Sequence, residues 1–456
     1  MSITKYLSIV LILFCCAFLF SCKKFLDEKQ NQSLVIPQTV QDLQSLLDNW
    51  YEINRNLPGA GETSSDDFFL KLSDWNFRPE YIKRTYAWQN DYLFETGSNN
   101  EWAVSYKSAN IANTVLYYSD KIDISPNDES LLNNAKGTAL FIRGISYLQV
   151  AWIWAEAYDE SDAGSKLGIP LRLTPDFNTL STRSTLKETY QQVLKDLKNA
   201  ATLLPDEVTH VIRPSKSAAY GWIARTYLSM RNYDSAWLYS NKYLSSHSTL
   251  INFNTLNPLS NSPLEEFNKE VIYHSVLNNK VGASRARIDT LLYSSYNEND
   301  LRKSVFFRGN SDGTHRFKGS YVGLNDPGEW FNGIATDEMF LVRSECYARK
   351  GDIANALLDL NTLLVTRWKN NGTWANFTAG TASEAIDIIL TERRKELLLR
   401  GLRWIDIKRL NKEGRNIILK RVLEPNNFML QPNDFRYALP IPEDVIAISG
   451  MLQNPR

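Results

Sequence analysis

Apolar residues recur at helical spacing along most of this chain. Thr39–Tyr51 places Val40, Leu43, Leu46, Leu47 and Trp50 on one face. Glu101–Tyr118 reads as a second helix. Asn133–Tyr158 reads as a third, with Leu140, Ile145, Tyr147, Leu148 and Trp152 toward a core. Ser184–Leu204 carries Leu186, Tyr190, Val193, Leu194, Leu197 and Leu203, and Pro205 closes it. Two later segments read alike. In Ser217–Leu244, Tyr227 is followed nine residues on by Ala236; in Asp337–Leu364, Tyr347 is followed nine residues on by Ala356. Small residues, Ala224 and Ser344, precede each Tyr, and turns fall at Arg231-Asn232 and Gly351-Asp352. That spacing lets a second helix lie close against a first, as in tetratricopeptide pairs. The predicted fold is mostly α: a tetratricopeptide-like helical scaffold with long loop-rich inserts and a few short strands.

Leu390–Leu410 is the densest pattern. Leu390, Leu397, Leu398, Gly401, Leu402 and Ile405 fall on one side of a helical wheel; Glu392, Glu396, Arg400 and Arg403 fall on the other. Thr381 and Glu384 give a capping-box signal, so a helix is predicted from about residue 382. Gly401 ends or bends it, and Arg403–Leu410 follows as a short second helix. Glu392 and Glu396 admit two readings: a carboxylate pair for a metal or acid–base work, or an ion-pair network with Arg393, Arg400 and Arg403. The surplus of arginines and the lack of a nearby His favour the network.

Ile251–Ile334 breaks the helical pattern. It is rich in Asn, Ser, Gly and Pro, with β-like runs at Val271–Val276 and Ser304–Phe307. Long irregular inserts commonly carry function. At the N-terminus, Lys5 precedes an apolar run, Tyr6–Phe20, too short for a comfortable membrane span. Leu19-Phe20-Ser21-Cys22 then reads as a lipobox with Cys22 the lipidated residue. This gives residues 1–21 as a signal peptide, 22–39 as a lipid-anchored tether and 40–456 as one domain, its insert at about 251–334.

Composition narrows the chemistry. Lys plus Arg equals Asp plus Glu at 51 each, which argues against a nucleic-acid surface. Once Cys15 and Cys16 leave and Cys22 is acylated, Cys346 stands alone, so no disulfide is expected. The four His are scattered, and no metal site is predicted. No cofactor is implied, and no phosphate loop, nucleophile elbow or Cys/His nucleophile pattern is present.

The residues Glu392, Arg393, Arg394, Glu396, Leu397, Gly401, Arg403, Trp404, Asp406 and Arg409 resemble the C-terminal signature of the SusD/RagB family, with Arg400 standing where that family often has Glu. The Lys-Lys-Phe-Leu-Asp-Glu run from Lys23, Ser65-Asp66-Asp67, Gly168-Ile169-Pro170-Leu171, and the tail motifs Ala-Leu-Pro-Ile-Pro and Leu-Gln-Asn-Pro extend the likeness over nearly the whole mature chain. The resemblance implies an outer-membrane lipoprotein facing the cell exterior. It implies binding of a nutrient, a glycan or a peptide, and delivery to a TonB-dependent, SusC-like transporter. It implies no catalysis. A glycoside hydrolase would need two carboxylates across a cleft, and nothing in the sequence so places Asp66, Asp67, Glu392 or Glu396. A helical-repeat scaffold lipoprotein is the remaining alternative.

Aromatic residues make up 12% of the chain, and sugar rings stack their C–H faces on such rings while their hydroxyls need polar partners. Two loop-like stretches mix both kinds, Trp75–Tyr92 and Arg316–Asn332. The expected ligand residues are Trp75, Trp88, Tyr321 and Trp330 as exposed rings, with Asn90 and Asn325 for hydroxyls.

Overall fold

The computed structural model describes residues 36–323 and 329–456. Its scaffold is a succession of helices: α1 Val40–Leu47, α2 Glu101–Ser119, α3 Glu129–Trp154, α4 Leu186–Leu203, α5 Lys216–Ser229, α6 Tyr233–Leu244, α7 Thr336–Arg349, α8 Ile353–Leu364, α9 Ala382–Glu396 and α10 Arg403–Asn411. Neighbours in this order mostly pack as antiparallel hairpins: α2 on α3, α3 on α4, α5 on α6, α7 on α8, with α6 against α7 joining the last two pairs. The tetratricopeptide-like reading is what the structure shows. Ala224, Ala236, Ser344 and Ala356 are all fully buried, and Ser344 Oγ donates to the Ala356 carbonyl at 2.7 Å. The two inter-helix turns use the left-handed region at equivalent places, Arg231 (φ 60°) and Gly351 (φ 83°). Glycine takes that conformation without Cβ strain. Arg231 is held there by its guanidinium, which donates to the Tyr158 carbonyl at 2.7 Å and to Asp159 at 2.8 Å.

Side-chain caps set several starts. Thr39, Thr185, Asn232 and Asp352 accept from backbone N–H groups in the first turns of α1, α4, α6 and α8. At α9 the cap is half of what the sequence suggests. Thr381 accepts from Glu384 N–H, but the Glu384 carboxylate reaches back to Gly380 N–H rather than to Thr381. The predicted helix over Thr39–Tyr51 is two helices, because Asn49 caps a fresh start at Trp50–Asn54.

The second half of the molecule's interior is a separate apolar cluster. It combines residues 57–86 with residues 251–335: Leu57, Phe68, Leu70, Ile82 and Tyr86 pack with Phe253, Val276, Ile288, Phe306, Phe307, Tyr321 and Trp330. A three-stranded sheet ties the two segments. Leu57–Pro58 runs parallel to Val276–Asn278, which pairs antiparallel with Glu329–Phe331. Phe68–Phe69 pairs with Arg287–Ile288, and the hairpin Phe307–Gly309/His315–Phe317 packs beside them. Leu398 and Leu399, just past α9, plug into this cluster, while Leu397 and Leu402 belong to the helical core.

Several expectations are corrected here. Ser304–Phe307 is not a strand: Arg302–Phe306 is helical, and the strand begins at Phe307. Trp75–Tyr92 is not a loop but holds helices Leu72–Asn76 and Glu80–Tyr86. Arg316–Asn332 holds strand residues at both ends. Helix α9 stops at Glu396, five residues before Gly401.

Candidate functional site: an aromatic and arginine platform

The four predicted rings do not form a stacking surface. Trp88 is 1% exposed, its indole N–H donates to the Ser64 carbonyl at 3.0 Å, and the Arg421 guanidinium lies 4.8 Å from its ring. Tyr321 is 1% exposed, and its hydroxyl donates to the buried carboxylates of Glu270 and Asp337. Trp330 is 2% exposed, sits in the central sheet and meets Phe68 at 5.8 Å. The reasons differ: Trp330 is turned inward by strand pairing with Leu277, whereas Trp88 and Tyr321 sit in turns and are held inward by their hydrogen bonds. Trp75 is half-buried, with its N–H on the Lys83 carbonyl and the Lys83 ammonium 5.2 Å from the ring. Asn90 is exposed, beside Phe435 and Arg436 and apart from the other candidates. Asn325 and Cys22 lie outside the described residues.

The carboxylates of the C-terminal signature are also committed. Glu392 and Glu396 are buried and share the Arg302 guanidinium, which also binds Asp300. Glu396 takes Arg367 at 2.7 Å, and Arg367 reaches Glu270 at 2.9 Å. The ion-pair reading is right in kind but not in partners. Arg393 binds Asp406, Arg400 binds Asp337, and Arg403 binds Asp66. Asp66 and Asp67 both receive Arg394. Burial opposes the charge on Arg302, yet Asp300, Glu392 and Glu396 hold its proton affinity well above the ordinary value. None of these carboxylates is presented in pairs across an open cleft.

What reaches the surface is different. Between the helices Leu72–Asn76 and Glu80–Tyr86, the Phe77 ring stands 72% exposed. Pro79 starts the second helix, and the short link before it turns Phe77 outward. The Arg285 and Arg78 guanidiniums approach this ring at 5.1 Å and 5.6 Å from its centre. Asp74 is engaged by Arg285 at 2.6 Å and by Arg287 at 3.6 Å. Asp312, at the tip of the neighbouring hairpin, takes Lys71 at 2.5 Å and Arg287 at 3.8 Å. Arg78 donates to the Val281 carbonyl at 3.1 Å, and Gly282 (φ 82°) leaves open the space beside its guanidinium. The platform therefore draws on residues 71–83, 278–288 and 310–315. An exposed ring with planar cations beside it can offer apolar surface and hydrogen-bond donors together. Phe77 lies inside a stretch the sequence flags for aromatics, next to Trp75. Arg285 and Arg287 leave only an alternating Arg-Ala-Arg signal.

A second concavity, a groove of about 520 Å³, runs between α2, the loop after Pro170 and the C-terminal helix Glu443–Ser449. Trp102, Tyr106, Phe177, Val445, Ile448 and Met451 make it largely apolar. Much of its polar chemistry is spent. Tyr106 OH donates to the Pro170 carbonyl at 2.8 Å, Asn113 to the Arg172 carbonyl at 2.7 Å, and Arg172 to Thr179 and Ser181. Few of its groups are left for the hydroxyls of a sugar, so the platform is the better saccharide candidate despite its shallowness.

Comparison with known families decides the relationship. The family model described as "Starch-binding associating with outer membrane" matches residues 24–228, and the SusD family model matches residues 336–456. This chain belongs to the SusD/RagB family. Solved SusD-like structures share its architecture. A SusD superfamily protein from Bacteroides thetaiotaomicron superposes with TM-score 0.76 at 21% identity, over 92% of this chain and 100% of that one. A protein from Bacteroides vulgatus titled a putative sugar binding protein gives 0.74 at 20% identity, over 92% and 99%. Surface glycan-binding protein A from Bacteroides uniformis gives 0.67 at 17% identity, over 91% and 99%. At these identities the likeness is one of fold. No curated protein matches the sequence. Among the described residues, no helix is long and apolar enough to cross a membrane.

Proposed function

We propose that this SusD-like protein is a lipid-anchored binder on the outer face of the outer membrane, which captures a saccharide at the Phe77 platform and delivers it to a TonB-dependent, SusC-like barrel. The observation that carries the reading is the pair of family matches flanking the insert, one of them to a family described as starch-binding and associated with the outer membrane. The exposed Phe77 ring with its guanidinium rim supplies the stacking face and donors that a sugar needs. The carboxylates considered for hydrolysis are tied into arginine pairs, which favours binding without turnover. Anchoring falls to Cys22. A diacylglycerol with an added amide-linked chain holds more firmly than one acyl group, which binds only marginally.

The test is a glycan and peptide array on the intact chain, followed by calorimetry on each hit and analysis of the ligand afterwards. Saturable binding with the ligand recovered intact supports capture; cleaved ligand, or hits confined to peptides, overturns it. Gentle solubilisation and pull-down should recover a large barrel protein in near-equal amount. Cys22→Ala should release the protein from the membrane fraction and abolish palmitate labelling.

A further inference from the structure

We propose that the ligand of the platform is an anionic saccharide, one carrying a carboxylate or a sulfate. The inference rests on the platform being the saccharide site and names the class of sugar it takes. Lys71, Arg78, Arg285 and Arg287 gather here beside two carboxylates, Asp74 and Asp312, while Glu80 in the same stretch is taken by Lys83. Those two are shared among Lys71, Arg285 and Arg287. Arg78 meets no carboxylate within 4 Å among the described residues, and its Nε, although buried, has no hydrogen-bond partner among them. The chain as a whole has no net charge, so this excess of cations is local.

The same cluster shows the strain expected of unbalanced charge. Burial and the neighbouring Arg285 guanidinium both lower the proton affinity of Arg78, and Asp74 only partly offsets them. Arg302, Arg367, Arg400 and Arg409 each reach a carboxylate directly. Arg78 and Arg285 instead both approach the exposed Phe77 ring. A guanidinium offers two parallel N–H donors matched to a carboxylate or a sulfate. A pyranose resting its C–H face on Phe77 would bring a ring substituent to that rim. A neutral sugar would satisfy the donors with hydroxyls but leave the excess charge uncompensated.

The test presents the intact chain to an array holding neutral oligosaccharides, oligouronates, the methyl esters of those oligouronates, and sulfated oligosaccharides. Hits are measured by calorimetry at low and high salt. The expected result is acidic hits only, with methyl esterification weakening a uronate at least ten-fold and salt weakening either kind. Arg78→Gln, which keeps most of the side-chain stem, and Arg285→Gln should each lower affinity about ten-fold while leaving the melting temperature unchanged. Binding of neutral glycans that both variants retain would overturn the anionic class and leave saccharide capture standing. Acidic hits untouched by either variant would overturn it too, by placing the anion elsewhere. Binding of no glycan of any kind would sink the capture reading itself.

Discussion

Two sets of arginines in this protein do opposite things. Arg302, Arg367, Arg400 and Arg409 lie in the layer where α7, α9 and α10 meet the insert, each nearly inaccessible and each fixed by carboxylates. Arg78, Arg285 and Arg287 lie at the surface of the insert side, where cations outnumber their partners. In the first set the desolvation cost is met by full pairing, and the product is a unique register between distant segments. In the second the charge is left partly uncompensated and within reach of a ligand. Residue type and charge do not separate the two sets; burial and the state of their partners do.

The comparison can be broken most forcefully at Arg302. Arg302→Met leaves Asp300, Glu392 and Glu396 with one cation fewer in a buried site, and the expected loss is about 3–5 kcal/mol of unfolding free energy in urea titration. A loss below about 1 kcal/mol would show that the layer does not hold the fold. Glu101 sharpens the point, because it is a buried carboxylate with no guanidinium. It accepts from Ala60 N–H at 2.7 Å, with Lys280 nearby. Burial raises its pKa to about 7, only partly offset by that N–H and Lys280. Folding therefore favours its protonated form. Its contribution is full below about pH 4.5 and is lost as the pH rises through 7, on the order of 2–3 kcal/mol. Glu101→Gln should flatten the decline in stability between pH 5 and pH 8; an unchanged decline would assign it to other groups.

At the platform the effects are smaller and fall on affinity. Phe77→Ala should weaken the identified glycan about ten-fold, near 1.4 kcal/mol, with unfolding free energy changed by less than about 0.5 kcal/mol. A drop in stability instead would make the ring structural. Smallest of all, Asp312→Asn removes one of the two platform carboxylates. It should strengthen an anionic ligand two- to three-fold in calorimetry without moving the melting midpoint. Weaker binding would mean that Asp312 positions Lys71 and Arg287 rather than merely diluting their charge.

The helical scaffold was legible because its information is local. Helical spacing and the paired Tyr–Ala steps act within a few residues, as do the caps that the structure adds at Thr39, Thr185, Asn232 and Asp352. The insert side was not. The inward turn of Trp330 is set by Leu277, and that of Phe68 by Ile288, partners that no periodicity reveals. Pro58-Gly59-Ala60-Gly61 has loop-like composition, yet Leu57–Pro58 is an edge strand of the three-stranded sheet and Ala60–Ser64 is a buried helix. Glu392 and Glu396 were recognisable as ion-pairing because arginines crowd them. Arg302 and Arg367, which actually bind them, lie too far off in sequence to be counted. Trp88, Tyr321 and Trp330, expected as exposed rings, are buried, which their local sequence does not reveal. Alternating aromatic and polar residues describe a half-buried element as well as an exposed one; in the Trp75–Tyr92 stretch Phe77, beside a proline-started helix, and Tyr92 at its end escape inward packing.

The strand pairings of Leu57–Pro58 with Val276–Asn278 and of Phe68–Phe69 with Arg287–Ile288 bind the early segment to an insert some two hundred residues downstream. Phe77 and Asp74 come from the first, Arg285, Arg287 and Asp312 from the second. Recombination that exchanged residues 251–334 alone would replace one side of both pairings and part Phe77 and Arg78 from Arg285 and Arg287. The proposed platform is therefore encoded by two stretches of gene that must travel together or change in step. A chimera built to acquire a relative's diet has to carry residues 57–86 along with the insert.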